Sequence, residues 1–350
     1  MRVAIVHYQL SRSGGMESYL ADLVRGFAAA GDAVAVWARS IDAAFAAELP
    51  VAAHRVMVPP FPRLFSTLAF SRAVERLRLR QRHDLVISLA RTRGQHFFVN
   101  GGTHPGFLAA LGKRPSLKDR IEIRLEREAV AASERTIAHS HLLAEELRRY
   151  YAAGPERVQT LYPPIDTRRF LRPEAPARRA ARAGLGLGEG EFAFLFPSMG
   201  HERKGLPALL EAFRRLDAPQ ALLLVAGRLI GKPAAGRVRE LGYIKDMPGL
   251  YAAADCTVLP SLYEPFGLAI AESLQCGTPV ITGMQAGAAE LMAAEDGIRL
   301  ERCDADSIHA ALVQALEQRH APAPGFAERH GLEPLAHVQA IRSLAAATIR

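Results

Sequence analysis

Short apolar runs alternate with segments of helical periodicity from one end of the chain to the other. In the first half, the apolar runs lie at residues 3–7, 33–37, 85–89, 97–99 and 136–139. Between the first two runs, apolar side chains recur at helical spacing from Met16 to Phe27, and Gly31 follows as a stop signal. This alternation is typical of a parallel β-sheet whose strands are connected by helices.

A break in the alternation divides the chain. Residues 171–190 are rich in Arg, Ala, Pro and Gly and show neither helical nor strand periodicity, so we interpret them as a linker. Beyond this segment, strands are predicted at 192–196, 221–226, 238–244, 257–259 and 279–282, with helices after Gly205, around Leu250, after Gly267 and after Gly287. The sequence therefore predicts an α/β protein with two doubly wound domains.

The composition excludes several other classes of protein. The chain has 350 residues, 49% of them hydrophobic and 23% charged, which is typical of a folded globular protein. Its three cysteines show neither a CxxC motif nor zinc-ligand spacing, so we expect reduced thiols. No stretch reaches about 18 apolar residues, and the N-terminal apolar run is too short for a signal peptide. We therefore expect a cytoplasmic protein.

Positive charge is concentrated in the first half. Residues 1–170 hold 25 Lys and Arg against 16 Asp and Glu, a balance of +9, whereas residues 171–350 hold 19 against 20, a balance of −1. Such an asymmetry indicates either arginines spread over solvated faces or a polyanionic partner, a nucleic acid or an anionic membrane. Leu68, Phe70, Leu77 and Leu79, interleaved with arginines, would allow an amphipathic segment to lie on phospholipid.

A Gly-Gly turn follows the first predicted strand. Ser13, Gly14 and Gly15 lead into the first helix at the carboxyl edge of the predicted sheet, where doubly wound folds bind ligands. Glycines permit close approach, and a helix N-terminus offers N–H groups to a phosphate or sugar oxygen. The dinucleotide fingerprint G-x-G-x-x-G is absent, and the pair is equally compatible with a tight turn that binds nothing.

A pair of cations follows the first strand of the second predicted domain. Arg203 and Lys204 precede Gly205 and the helix predicted after it. Two adjacent cations at a helix N-terminus combine fixed positive charge with the helix dipole, as a nucleotide diphosphate requires. A solvated loop is the alternative interpretation, but the strand-to-helix context favours phosphate binding.

An acidic motif, EPFGLAIAE, runs from Glu264 to Glu272. A proline after its first residue and a Gly-Thr-Pro sequence beyond its end delimit a predicted helix of about three turns. Glu264 would lie at the start of this helix and Glu272 two turns deeper, where both could hold a hydroxyl-rich ligand. N–H groups near Phe266, Gly267 and Leu268 would face its phosphates. A dipole partner and a surface charge are equally compatible with this spacing.

These motifs are recognisable together. EPFGLAIAE, preceded by PSLY and followed by SLQCGTPVI, strongly resembles the retaining glycosyltransferases of family 4, which have the GT-B fold. Further matches, in the family's order, are SRSGGMESYLADL, LYPPIDTRRF, FPSMGHERKG, YAAADCTVLPS and AGAAEL. The resemblance implies two Rossmann-like domains facing each other across a cleft. An acceptor domain would span 1–168, with a C-terminal helix at 333–350 packed back on it, and a donor domain would span 169–332.

The resemblance also implies roles for single residues. Arg203 and Lys204 would neutralise the diphosphate leaving group, Glu272 would hold the ribose hydroxyls, and Glu264 would contact the donor sugar. Gly14 and Gly15 would approach the donor as well.

A histidine completes the implied catalytic set. His104, within NGGTHP, matches the family's active-site histidine near the donor sugar. A histidine in a glycine loop, taken alone, is more often structural.

The implied chemistry needs a nucleotide-diphospho-sugar, with a UDP-sugar favoured and a GDP-sugar the alternative, and neither a metal nor a further cofactor. The implied acceptor is a glycan or glycolipid of the bacterial cell envelope, because the motifs are similar to those of lipopolysaccharide core glucosyltransferases. We expect no nucleic-acid partner, whereas the inner face of the cytoplasmic membrane remains a candidate surface. Arg228, Lys232 and Arg237 occupy a loop near the implied base and ribose pocket that is shorter than usual in the family.

Two other functions fit the same sequence. A nucleotide-sugar epimerase of similar two-domain form would need no acceptor. A non-catalytic polyanion-binding protein on the same scaffold would use the basic first half, but it would have little reason to keep both glutamates and both cations.

Overall fold

The computed structural model describes residues 1–12, 14–58, 63–231 and 236–349, and side chains within these ranges except at 63–65. The chain divides into two compact units. The first contains Met1–Pro164 and the C-terminal segment from Gly331, and the second contains Ile165–His330. Each unit is built on one parallel β-sheet, so the predicted fold class is confirmed.

The first unit has a seven-stranded sheet in the order β3-β2-β1-β4-β5-β6-β7. Its strands are β1 (Arg2–Leu10), β2 (Ala33–Ile41), β3 (Ala52–Arg55), β4 (Leu85–Ser88), β5 (Phe97–Asn100), β6 (Arg135–Ala138) and β7 (Val158–Thr160). Its connecting helices are α1 (Gly15–Ala29), α2 (Ala43–Ala47), α3 (Arg63–Arg80), α4 (His104–Ala110), α5 (Leu117–Ala132) and α6 (His141–Tyr151). The apolar face of α1, with Tyr19, Leu23 and Phe27, is buried in the core beside β1.

The second unit has a six-stranded sheet in the order β10-β9-β8-β11-β12-β13. Its strands are β8 (Phe192–Ser198), β9 (Ala221–Gly227), β10 (Val238–Gly242), β11 (Cys256–Leu259), β12 (Val280–Gly283) and β13 (Gly297–Leu300). Its helices are α7 (Ala175–Gly184), α8 (Leu206–Arg214), α9 (Met247–Ala253), α10 (Leu268–Gln275), α11 (Ala305–Glu317) and α12 (Phe326–Arg329). Strands β8 and β11 are buried along their whole length, which explains their continuous apolar sequence.

The last helix, α13 (Pro334–Thr348), packs on α1 of the first unit. Val338, Ile341 and Ala345 lie in the same buried cluster as the apolar face of α1. The hydroxyl of Tyr19 lies 2.8 Å from Nε2 of His337, so a hydrogen bond joins the two helices inside the core.

Part of the predicted linker is a helix. Segment 171–190 contains α7, so its prediction as a stretch without regular structure is wrong. None of the side chains of α7 is buried, and its apolar positions are mostly small alanines, so the helix is easily missed in the sequence. Two of its arginines hold it: Arg178 and Arg182 donate to the carboxylate of Asp255 at 2.6 and 2.8 Å, and also to backbone carbonyls at the C-terminal end of α9.

The segment predicted to lie on phospholipid is the second half of α3. Phe70 is fully buried in a cluster with Trp37 and Val74, and Leu77 packs against the same cluster. Phe70 and Leu77 therefore face the core, and the prediction that they lie on phospholipid is wrong for these two residues, whereas Leu79 is 83% exposed. In the described part of the chain, no helix has the length and apolar character needed to cross a membrane.

Candidate functional site

The two loops that carry the predicted charges in the second unit are fixed against each other. Gly205 ends the loop after β8 with a φ of +80°, and a Cβ there would lie 2.2 Å from the carbonyl oxygen of Pro260. Only glycine permits this approach. The N–H of Leu262 donates to the carbonyl oxygen of Arg203 at 2.9 Å. The cation loop and the acidic loop after β11 therefore meet at the carboxyl edge of the sheet.

One carboxylate is shared by two cations at this edge. Nη1 of Arg203 lies 3.0 Å from Oε2 of Glu264, and Nζ of Lys204 lies 3.9 Å from the same oxygen. Arg203 also donates to the carbonyl oxygen of Tyr263 at 2.5 Å, and Lys204 to that of Pro197 at 3.2 Å. When Arg169 and Glu272, which act electrostatically on the same groups, are counted with this cluster, three cations face two carboxylates, so the site can accept a further anion.

Burial tunes the charges of this cluster. Desolvation lowers the pKa of Lys204, while the nearby carboxylate of Glu264 opposes that shift. Desolvation likewise raises the pKa of Glu272, although the hydroxyl of Tyr251 donates to its Oε2 at 3.0 Å and Arg169 and Lys204 act in the opposite direction. An ammonium and a carboxylate that have lost hydration gain more from a charged or hydroxyl-bearing ligand than exposed groups do.

The acidic motif does not form one continuous helix. Helix α10 begins at Leu268, so the prediction of a helix from Pro265 is wrong. Gly267 has a φ of +99°, a left-handed conformation that breaks the helix before Leu268. Glu264 instead forms a parallel bridge with Ala286, and Phe266 accepts a hydrogen bond of 2.7 Å from the N–H of Ala288. The two glutamates are thus presented by different elements, a loop and a helix.

The segment after Gly287, predicted as a helix, is a short 3₁₀ turn, Gly287–Leu291. The N–H of Gly287 donates to the carbonyl oxygen of Glu264 at 3.0 Å. This turn therefore fixes the backbone on which Glu264 stands.

In the loop between β9 and β10, the position of Arg237 differs from the prediction. Arg237 lies just before β10, and its guanidinium donates to the carbonyl oxygens of Ala218 and Leu216 at 2.6 and 2.8 Å. These carbonyls precede β9, at the amino edge of the sheet, so the placement of Arg237 near a base pocket is wrong. Arg228 follows β9 at the carboxyl edge, and Lys232 lies outside the described residues.

In the first unit, Gly14 and Gly15 begin α1, and Ser13 lies outside the described residues. The carboxylate of Glu17 folds back over them, and a Cβ on Gly14 would lie 2.8 Å from its Oε2. Oε1 of Glu17 accepts hydrogen bonds from Nε2 of Gln9 at 2.7 Å and from Nε2 of His7 at 3.4 Å. Because a carboxylate already occupies this helix start, the loop is better suited to hydroxyl groups than to a phosphate.

His104 is the first residue of α4, and its ring is held by Asp119. Nε2 of His104 lies 2.8 Å from Oδ1 of Asp119, and its backbone N–H donates to Glu126 at 2.8 Å. Hydrogen bonds from Ser116 and then from His104 lower the pKa of Asp119 to about 2. A Cβ on Gly101 would lie 2.6 Å from Sδ of Met16, so the His104 loop and the Gly14 loop are neighbours.

The structure thus brings the predicted residues together in two groups, one in each unit. Arg203, Lys204 and Glu264 are in direct contact, with Glu272 electrostatically coupled to Lys204. Sequence reasoning missed Asp119, Tyr251 and Glu17. The capping-box pattern from Ser116 to Asp119 was a readable signal for the first of these, whereas nothing in the sequence pairs Tyr251 with Glu272.

Comparisons with known proteins identify the family of the chain. The family model for Glycosyltransferase Family 4 matches residues 13–169, and the model for Glycosyl transferases group 1 matches residues 177–328. Over 323 residues the chain is 36% identical to a probable transglycosylase of Burkholderia thailandensis, covering 92% of this chain and 88% of that protein.

Two solved structures share the fold. WaaG, a glycosyltransferase involved in lipopolysaccharide biosynthesis, matches with a TM-score of 0.77 at 21% identity, over 98% of this chain and 95% of that one. Anabaena HepE in complex with UDP and glucose matches with a TM-score of 0.76 at 19% identity, over 99% of both chains. The chain therefore belongs to the glycosyltransferases of group 1 and family 4 and has the GT-B fold.

Proposed function

We propose that the protein transfers a hexose from a nucleotide-diphospho-sugar to a glycan or glycolipid acceptor, with retention of the anomeric configuration. The observation that carries this proposal is the sharing of Glu264 by Arg203 and Lys204 at the start of α8. With Arg169 and Glu272 counted, three cations against two carboxylates leave positive charge uncompensated, and burial strengthens its field. A diphosphate supplies the negative charge that the cluster lacks.

In the proposed reaction, the bond between the anomeric carbon and the diphosphate oxygen breaks. The diphosphate leaves with the bonding electrons and takes the proton of the acceptor hydroxyl. The acceptor oxygen then bonds to the anomeric carbon on the same face of the sugar, so no protein nucleophile is required. Arg203 and Lys204 stabilise the charge that develops on the leaving group, and we propose that they perform this role without a metal ion.

Donor binding requires an exchange of partners at Glu264. In the structure its Oε2 accepts from Arg203, whereas a bound diphosphate would draw the guanidinium to its own oxygens. Glu264 would then accept hydrogen bonds from the donor sugar, and Glu272, already oriented by Tyr251, would hold the ribose hydroxyls. His104, with its ring fixed by Asp119, is our candidate catalytic residue in the first unit.

Exposed apolar side chains lie beside the cation cluster. Met199, Leu229 and Tyr243 follow the carboxyl ends of β8, β9 and β10 and are 63%, 61% and 73% exposed. We propose that they form the surface on which the nucleobase lies. The UDP held by HepE supports a UDP-sugar as the favoured donor, with a GDP-sugar as the alternative.

We place the reaction in the assembly of bacterial envelope glycans, including lipopolysaccharide. Support comes from the likeness to WaaG, a glycosyltransferase involved in lipopolysaccharide biosynthesis. Incubation with UDP-, GDP- and ADP-sugars and lipopolysaccharide-core acceptors, with and without chelator, tests the proposal. Proton NMR of the product reports the anomeric configuration. Donor isomerisation without an acceptor would identify an epimerase instead, and neither turnover nor donor hydrolysis with any donor would contradict the proposal.

Substitution of the cations tests their assigned role. We expect Arg203→Ala and Lys204→Ala each to lower kcat about 100-fold, because each removes a charge-assisted contact to a leaving group that gains charge in the transition state. Arg214→Ala is the matched control and should retain normal turnover, because it removes an exposed arginine at the end of α8, the helix that follows the cation pair. Rates equal to wild type in both variants would show that the cation pair is a surface feature only.

We propose that the protein also contacts anionic membrane surfaces through exposed arginines. Phe70 takes no part in this contact, because its side chain lies in the core. Arg72, Arg76 and Arg80 are exposed on α3. We expect binding to vesicles containing phosphatidylglycerol that weakens as salt rises, since exposed charges are screened within about 8 Å at physiological ionic strength. The triple Arg→Ser variant should lose this binding and retain donor affinity. Equal binding to neutral and anionic vesicles would rule the contact out.

A further inference from the structure

A cavity of about 290 Å³ opens at the amino edge of the second unit's sheet, the edge opposite to the cation cluster. Its lining includes the first residues of four strands, among them Phe192 of β8 and Ile298 of β13. The segment around α7 and the end of α11 close its sides with Arg172, Arg178, Arg319 and His320. The cavity is close to the lower limit of typical small-ligand sites.

Positive charge exceeds negative charge in this lining. Three arginines line the cavity against one carboxylate, that of Asp255. This carboxylate is already saturated, because Arg178, Arg182 and the N–H of Ala193 all donate to it at 2.6 to 2.8 Å. It therefore offers nothing to the remaining arginines.

Arg172 and Arg319 lack acidic partners in the described ranges of the chain. Arg172 donates only to the carbonyl oxygen of Pro322 at 2.9 Å, and its guanidinium lies against Gly277, where a Cβ would be 2.9 Å from Nε. Arg319 makes no hydrogen bond or ion pair among the described residues, and burial, then Arg182 and then Arg319 lower the pKa of Arg178. An anion between these arginines would relieve that repulsion.

A buried nitrogen and an apolar wall complete the cavity. Nδ1 of His320 donates to the carbonyl oxygen of Ala294 at 3.2 Å, so this nitrogen carries the proton. Nε2 of the same ring is buried and without a partner in the described structure. Phe192, Ile281 and Ile298 supply an apolar surface in the same lining. A buried unpaired polar atom is costly unless a ligand or water satisfies it.

We propose that this cavity is a second binding site, separate from the nucleotide-sugar site, for a small organic anion. A phosphate or carboxylate group would lie between Arg172 and Arg319, and a ring-sized body would rest on Phe192 and Ile298. A hydroxyl of the ligand would donate to Nε2 of His320.

Isothermal titration with phenyl phosphate, benzoate, inorganic phosphate and phenol tests this proposal. The titrations use the Arg203→Ala protein, so that anion binding at the cation cluster is weakened. We expect phenyl phosphate or benzoate to bind at least tenfold more tightly than phenol, which lacks the charge, and phenyl phosphate more tightly than phosphate, which lacks the ring. A lack of binding by both organic anions at millimolar concentration would overturn the proposal.

Variants locate the binding in the cavity. Arg319→Ser should weaken binding about tenfold or more, since it removes one charge-assisted contact from an exposed position where folding is insensitive. Ile298→Trp should abolish binding by filling the cavity, and circular dichroism checks its folding. Arg214→Ser, an exposed arginine on α8, is the matched control. Unchanged affinity in Arg319→Ser, or an equal loss in Arg214→Ser, would show that the anion binds elsewhere.

Discussion

At the scale of single residues, Glu17 shows how the local environment fixes a charge. Hydrogen bonds from His7 and then from Gln9 and its own N–H lower the pKa of Glu17 to about 2, against the opposing effect of burial. The carboxylate is thus better stabilised in the folded state than in the unfolded chain. Its contribution to stability is fully present above the ordinary glutamate pKa of 4.5 and is lost as the pH falls from 4.5 towards 2.

The corresponding prediction concerns Glu17→Gln. We expect this variant to lose about 2 kcal/mol of unfolding free energy at pH 7, with a difference from wild type that shrinks below pH 4.5. Urea unfolding at pH values from about 2 to 7 measures both effects. Glu48→Gln is the control, because Glu48 and its partner Arg12 are about half exposed and such pairs contribute little. A pH-independent difference for Glu17→Gln would contradict the assigned charge.

The residues of the candidate site could be predicted from the sequence only where they directly follow a predicted strand. Arg203 and Lys204 stand between a strand and a helix, and Glu264 follows the next strand of the sheet, so their meeting at one edge follows from the fold. Tyr251 could not be found in this way. It lies inside α9 and meets Glu272 only through the packing of α9 beside α10, which the sequence does not encode locally.

At the scale of elements, the contact between α1 and α13 depends on a glycine. A Cβ on Gly26 would lie 2.6 Å from Cγ2 of Val338 and 3.0 Å from the carbonyl oxygen of Pro334. The two helices approach closely because this position has no side chain.

We therefore expect Gly26→Ala to destabilise the protein by about 1 to 3 kcal/mol, although alanine favours helices, because the helices must separate to admit the methyl group. Gly184→Ala in α7 is the matched control, since a Cβ there meets nothing within 4 Å and should leave stability unchanged or raise it. Thermal unfolding monitored by circular dichroism compares the two. If Gly26→Ala leaves the stability unchanged, α13 can move away from α1 at this contact without cost.

Some of the elements that sequence reasoning missed have a weak apolar signal, whereas α11, which it also missed, buries an apolar face with Ile308 and Leu312. All four residues of β3 are exposed, and β7 is only three residues long, so neither forms an apolar run. Helix α7 is held by arginine hydrogen bonds and by small apolar side chains such as Ala181, which is only partly buried against the core. Strands β1 and β8 could be predicted because their burial requires a continuous apolar sequence.

At the scale of the whole molecule, the chain contains two parallel sheets, and the last helix belongs to the unit that begins the chain. The alternation of periods predicts the sheets, because every crossover helix leaves its own signal between two strands. The position of α13 has no such signal. Its helical spacing is equally compatible with either unit, and only the burial of Val338 and Ile341 among residues of α1 assigns it to the first.

Removal of residues 333–350 is therefore expected to unfold the first unit and leave the second folded. Val338, Ile341 and Ala345 are buried against α1, and large-to-small changes at such positions cost about 2 to 5 kcal/mol each for the larger side chains. Losing the whole helix should exceed the stability of about 5 to 15 kcal/mol that is usual for a domain. Calorimetry should show one unfolding transition fewer, UDP affinity should stay near that of the full chain, and sugar transfer should disappear. Leu335→Ser changes an exposed residue of the same helix and should have none of these effects. A truncated chain that still melts like the full protein would show that α13 is dispensable for the core of the first unit.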